Sequence, residues 1–258
     1  MATAADDQVS TAEPPGPAVP AFVRLAAHPL RWRLLAALAG SDLRVRELVA
    51  LVAEPQNLVS YHLRLLRDGG LVTTNRSSFD GRDTYYHLAL DRCADQFAAA
   101  GAALHPALRA ADAAQPSLDP DARVGVLFVC TGNSARSPVA EALLRHRTAG
   151  RVDVASAGSA PKPRLHPHAV RVLREEYGIV AEQRPQHLNA VAGRHFDHVI
   201  TLCDKVREAM PAPSGRPRVA HWSIPDPAAA PADRTAFERA AADIDARVQT
   251  LIPALRAA

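Results

Sequence analysis

Residues 124–138, VGVLFVCTGNSARSP, decide how the second half of this chain folds. VGVLFV (124–129) is an unbroken apolar run, the composition of a strand buried on both faces. CTGNSARS (130–137) supplies Gly, Asn and Ser for a tight loop, and Pro138 stands in the first turn of the helical stretch PVAEALLRHR. Strand, loop and helix in that order form a cradle for a tetrahedral anion, because successive N–H groups and the positive end of the helix converge on one point. Cys130 opens the loop and Arg136 closes it. The positive potential there suits a thiolate nucleophile at Cys130, and the planar fork of Arg136 matches two oxygens of an anion. The expected oxyanion contacts are Thr131, Gly132, Asn133, Ser134, Ala135, Arg136 and Ser137, with Ser137 bonding the sulfur and Asn133 bracing the loop. Cys and Arg six positions apart recur by chance, and a buried cysteine ending a strand is the plain alternative. The placement between strand and helix makes the pattern specific.

VCTGNSARSP resembles the signature of the low-molecular-weight tyrosine phosphatases and of the arsenate reductases built on the same fold. The resemblance covers about residues 123–255 and implies a three-layer α/β domain with a parallel sheet. Ala135 stands where many relatives carry a second loop cysteine. Further along, VITLCD…MP…HWSIPDP is more similar to the reductase branch, whose members place a resolving cysteine after that strand, here Cys203. Asp226, 96 positions beyond Cys130, matches the general acid of both branches. The resemblance therefore implies attack of Cys130 on arsenate, protonation by Asp226, and a Cys130–Cys203 disulfide as arsenite leaves. Thioredoxin-coupled relatives relay that disulfide through a cysteine seven positions on, where this chain has Met210. A thioether cannot exchange disulfides, so either an external thiol, a small thiol with a glutaredoxin-like partner, takes the arsenic or resolves Cys130, or a reductant such as thioredoxin must reach the internal disulfide directly. No bound cofactor and no metal are expected. Two alternatives stay open: phosphotyrosine hydrolysis by Cys130, Arg136 and Asp226, and a regulator whose second half only senses an oxyanion. HWSIPDP lacks the aromatic that commonly follows the Asp-Pro pair in phosphatases.

The first half reads differently. Leu25, Leu30, Leu34, Leu35 and Leu38 recur at helical spacing from Ala21 to Gly40, followed by the short helix LRVRELVALVA. After the turn EPQN comes NLVSYHLRLLRD, stopped by Gly69-Gly70. Val59, Leu63 and Leu66 share one face of that helix, and Asn57, Ser60, Tyr61, Arg64 and Asp68 lie opposite. Such a helix fits a DNA major groove, with Gln56, Asn57, Ser60 and Tyr61 at base edges and Arg64 and Arg67 on phosphates. The strands LVTTNRS and DTYYHLAL, turning at Asp80-Gly81, form a hairpin wing that brings Arg76 and Arg82 to the DNA. A polar helix face is more often simply solvated, but the order helix–turn–helix–hairpin narrows the choice. Residues 22–90 resemble the ArsR-type winged-helix repressors, most specifically in the S-x-H-L-x-x-L-x-x-x-G-L-V run. That resemblance implies a double-stranded operator and a homodimer formed through the winged-helix half, for which the alanine-rich run 91–112 is suited. The helix that carries a cysteine pair in metalloid-sensing members has none here, and Cys93 alone cannot complete a three- or four-ligand site.

The remaining arithmetic sets bounds. At 258 residues the chain has room for two domains, joined by AAQPSLDPDA (113–122). The fold expected is α/β plus α+β: a winged helix over 21–112 and the oxyanion domain over 123–258, with residues 1–20, four of them proline, as a disordered tail. Residues 1–118 hold 11 Arg against 12 acids and 119–258 hold 19 basic against 15 acidic, so global charge does not mark the first half as a DNA binder. Three cysteines exclude a disulfide framework and suit the reducing cytoplasm. No apolar stretch is long enough for a membrane span, and the N-terminus lacks the basic start and apolar run of a signal peptide. The six histidines from His166 to His221 lack metal-site spacing, and Trp32 and Trp222 are expected as packing anchors. The C-terminal stretch from Glu238 is expected as an amphipathic helix covering the sheet.

Overall fold

His28-Pro29 interrupts the first helical run, since proline cannot donate to the preceding turn. The result is two helices, α1 (Ala21–Ala26) and α2 (Pro29–Leu38), with His28 capping the second by accepting from the Leu30 N–H. The computed structural model describes residues 18–79, 81–105, 108, 124–209, 217–229 and 233–255. The expected linker 113–122, most of the expected tail and Met210 lie outside the described residues.

The first half continues with β1 (Leu43–Arg44), α3 (Val45–Val52), α4 (Gln56–Asp68), β2 (Val72–Arg76), β3 (Thr84–Leu88) and α5 (Leu90–Leu104). Leu34, Leu48, Leu63 and Leu66 are fully buried where α2, α3 and α4 meet, and each contributes about 1.5–3 kcal/mol by leaving water. Cys93 is buried in this core and burial raises its thiol, as for a small apolar residue. β2 and β3 form the antiparallel hairpin, to which β1 adds a third strand through Leu43 opposite Tyr86. That strand is too short for period-two alternation to reveal. Trp32 does not anchor packing: 54% of it is exposed, because the helical phase that buries Leu30, Leu34 and Leu35 turns it outward. Trp222 is buried and meets Phe128 at 5.7 Å between ring centroids.

The second half alternates strand and helix: β4 (Gly125–Cys130), α6 (Arg136–Arg147), β5 (Asp153–Gly158), α7 (Pro167–Tyr177), β6 (His198–Thr201), α8 (Asp204–Ala209), β7 (Arg218–His221) and α9 (Arg234–Leu251). The four strands are parallel in the order β5-β4-β6-β7, a doubly wound sheet. All six residues of β4 are buried, as its unbroken apolar run requires. Because β4 lies between β5 and β6, the strand order reverses beside its carboxyl end, where open α/β sheets hold their ligands. The C-terminal helix α9 packs on α6 and α7, with Phe237, Ala241, Ile244 and Val248 inward.

The halves are joined by more than chain connectivity. Asp42, 2% exposed, accepts two 3.0 Å bonds from Arg247 of α9 and one from the Ser223 N–H at 2.7 Å. His87 sits 3.0 Å from the same carboxylate. The Asp42 N–H donates to the His221 carbonyl, and the His221 N–H donates back to Ser41 Oγ. Burial alone would raise the Asp42 carboxyl, but Arg247 and His87 outweigh it and hold the pKa at about 2.

Candidate active site and DNA-reading surface

The loop after β4 is held from its outer side. The carbonyls of Cys130, Thr131, Gly132 and Ser134 accept from the N–H groups of Ser159, Ala160, Lys162 and His166 at 2.8–3.3 Å. Among the described residues, no N–H of 131–135 has a protein acceptor. Asn133 takes a positive φ of 43°, strained for most side chains but tolerated by Asn, which helps curl the loop into an anion nest. Its side chain secures the turn: Nδ2 donates to Ser137 Oγ at 3.0 Å and Ser156 Oγ at 2.9 Å, and Oδ1 accepts from the Gln186 N–H. Ser156 in turn donates to the buried Glu141 at 2.6 Å. Gly158 is required here, because a Cβ at that position would come within 2.6 Å of the Thr131 carbonyl.

Cys130 Sγ lies 3.0 Å from Ser137 Oγ, at the bottom of a cleft of about 660 Å³. Arg136, 6% exposed, donates through Nη1 to the Ile224 carbonyl at 3.0 Å, and its Nη2 lies 3.1 Å from Asp226 Oδ2. Asp226 itself stays nearly half exposed at the mouth. Cys203 ends the β6 segment, buried, with its sulfur 3.3 Å from Thr131 Oγ1. Burial pushes the Cys203 thiol up, against the opposing pull of Arg136 and the Thr131 hydroxyl. The four side chains expected to carry chemistry, Cys130, Arg136, Cys203 and Asp226, thus line one cleft from three separate loops.

Some of its residues were not foreseen. Asp204 follows Cys203 and is 2% exposed; one oxygen accepts from Ser223 Oγ at 2.8 Å and lies 3.1 Å from His221 Nε2. Burial alone would raise its carboxyl, but these bonds and those from Ser78 lower it. Lys162 and the hairpin residues Asn75, Arg76, Ser78 and Phe79 also line the cleft. The Ser156–Glu141 pair leaves one trace in the sequence, an acid among the apolar residues of α6. The hairpin leaves none, since its contacts with the second half cross 123 or more positions.

On α4, Val59, Leu63 and Leu66 face the core while Gln56, Asn57, Tyr61, Arg64 and Arg67 are exposed and Ser60 half-buried. Arg64 lies over the Tyr61 ring at 5.6 Å. His62 packs inward, 4.4 Å from the His28 ring, and burial lowers its pKa. Arg82 is exposed beside Gly81, whose φ of 67° makes the turn. Arg76 faces the Cys130 cleft.

Residues 125–258, over half the chain, match the family model described as low molecular weight phosphotyrosine protein phosphatase. The chain belongs to that family. Residues 28–74 of this phosphatase-family chain match a second model, the arsR family of bacterial regulatory proteins. Among curated relatives, an arsenate reductase of Halalkalibacterium halodurans is 33% identical over 130 residues, spanning 48% of this chain and 92% of that protein. One of Shouchella clausii is 30% identical over 128 residues, 48% and 91% respectively. The crystal structure of an arsenate reductase from Archaeoglobus fulgidus shares 32% identity, covering 49% of this chain and 98% of that one with a TM-score of 0.43. No helix among the described residues is long and apolar enough to cross a membrane.

Proposed function

We propose that the C-terminal half reduces arsenate to arsenite with thiol electrons while the N-terminal half reads duplex DNA. The observation that carries the reductase assignment is Cys203, a buried thiol 3.3 Å from the hydroxyl of Thr131, which follows Cys130 directly. Phosphoester hydrolysis has no use for a second thiol there, whereas reduction through an internal disulfide does. Arsenate seats against the free N–H groups of 131–135 and the Arg136 fork, displacing Asp226 from its ion pair. Cys130 sulfur bonds arsenic as an oxygen leaves as water, taking a proton from Asp226. Cys203 sulfur then attacks Cys130 sulfur, the S–As bond breaks with its electrons on arsenic, and arsenite departs. Arsenic gains two electrons and the two thiols become a disulfide. An external thiol reductant restores them. On the other half, α4 enters the major groove with Gln56, Asn57, Ser60 and Tyr61 toward bases, and the chain dimerises through α5, where Phe97 and Leu104 stand 53% and 76% exposed.

The test supplies purified full-length protein with arsenate and a small thiol, a glutaredoxin system or a thioredoxin system, beside p-nitrophenyl phosphate. Arsenite production that stops in Cys203→Ser supports the assignment. Undiminished arsenite production by that variant removes Cys203 from the mechanism, and turnover of the phosphoester alone favours the phosphatase reading that the family description carries.

A further inference from the structure

The wing of a DNA reader normally ends in solvent, facing the duplex. Here it ends on the oxyanion cleft. The Ser78 N–H and Oγ donate to Asp204 Oδ2 at 2.6 and 2.9 Å, Ser77 Oγ donates to Glu208 at 3.0 Å, and Asn75 Nδ2 donates to the Ser223 carbonyl at 3.1 Å. Tyr85 of β3 donates to the same Glu208 carboxylate. Asp204 is bonded in sequence to Cys203, and Ser223 lies three positions before Asp226. The wing is therefore fastened to the two segments that carry the second thiol and the cleft-mouth carboxylate. Beyond those fastenings Arg76 faces the cleft, and among the described residues its guanidinium has no hydrogen-bond or ion-pair partner. Arg136 and Lys162 line the same space. An exposed arginine lining the cleft of an anion nest, with no carboxylate partner among the described residues, is fitted to bind a tetrahedral oxyanion by charge-assisted hydrogen bonds. The same side chain at the end of β2 is one of the two, with Arg82, that the winged-helix reading brings to the DNA backbone or minor groove.

We propose that Arg76 is an oxyanion-binding residue of the C-terminal site, supplied across the domain boundary, and that the hairpin serves either the cleft or a DNA backbone but not both. The inference rests on the oxyanion chemistry and the DNA reading proposed above. It makes the cleft the effector site that the cysteine-poor helix α3 does not provide. Linkage is reciprocal: an anion that holds the wing weakens DNA binding by the same factor by which DNA weakens anion binding.

The experiment uses the full chain carrying Cys130→Ser, inorganic phosphate as the probe, and a duplex selected by the full chain from a random library. Calorimetry gives the phosphate Kd with and without saturating duplex. Arg76→Ala is expected to weaken phosphate binding about 5- to 10-fold, with partial rescue by Arg76→Lys, while circular dichroism and the thermal midpoint match the parent. Duplex is expected to raise the phosphate Kd about fivefold in the parent and not in Arg76→Ala. Ser78→Ala, which loosens the wing without touching the anion, is expected to weaken phosphate and tighten DNA, opposite changes that general damage does not produce. Equal phosphate affinity in parent and Arg76→Ala overturns the assignment, and additive binding of phosphate and duplex overturns the exclusivity. A parent chain that binds no phosphate removes the oxyanion site itself, and the role of Arg76 falls with it. A library that yields no duplex removes the DNA reading and the competition, while the Arg76 comparison still decides the anion contact.

Discussion

Helix α4 and the β2–β3 hairpin are neighbours in the same winged-helix half, yet they meet different surroundings. α4 buries one face in its own core and leaves Asn57, Tyr61 and Arg64 exposed. The hairpin gives its tip to the other half, through Ser77 and Ser78 on Glu208 and Asp204. On the DNA reading proposed above, a free helix and an engaged wing would leave groove contacts available while backbone contacts depended on the state of a second site. The difference teaches that the domain boundary in the chain is not the boundary of the working parts.

The sharpest separation is chemical. Cys130→Ser should lower turnover of arsenate or p-nitrophenyl phosphate at least about a thousandfold, since the nucleophile is gone, while duplex binding measured by fluorescence anisotropy persists. If DNA binding collapses too, the free helix and the cleft are not separable. Next in size, Arg247→Ala strands the buried Asp42 carboxylate and should cost about 3–5 kcal/mol in denaturant unfolding. Asp42 also sets an acid limit. Its carboxyl titrates at about 2 in the folded chain against 3.8 ordinarily, so its contribution is complete above about pH 4 and is lost as pH falls toward 2. A flat stability curve across that window would show that the junction does not depend on this charge.

On the free side, Arg64→Ala should weaken DNA binding by about 1–3 kcal/mol and leave turnover unchanged; reduced turnover would mean that α4 is no more independent than the wing. Gly158→Ala should lower kcat about tenfold, because the new methyl group meets the Thr131 carbonyl behind the loop, with DNA binding unaffected. Smallest is a pH effect. Burial raises the Cys203 thiol, so thiolate is scarce near neutrality, and single-turnover disulfide formation should quicken by up to about tenfold per pH unit on the alkaline side. A rate independent of pH there would place the slow step elsewhere.

What the sequence makes legible follows from distance along the chain. The anion loop lies within eight consecutive residues, so the order of strand, Gly-Asn-Ser loop and helix discloses its shape. The apolar stripe of α4 is equally local. Cys203 and Asp226 are recognisable because motifs surround them, though nothing in spacing alone brings them to Cys130. Asp42, Asp204 and Glu208 carry no such mark. Each is an ordinary acid in the chain, and each matters because a partner more than 100 positions away folds onto it. Trp32 shows the converse: an aromatic type that usually packs, turned to solvent by the phase of its helix.

Asp42 has a further consequence. One carboxylate, braced by His87 of its own half, joins the first half to α9 and to the Ser223 backbone at once, with Ser41 and His221 pairing alongside. A protease cut between the two halves would therefore produce two fragments that still copurify. Carrying both halves on one chain sets their ratio at one to one at synthesis; Asp42 would preserve that ratio after the covalent thread is gone.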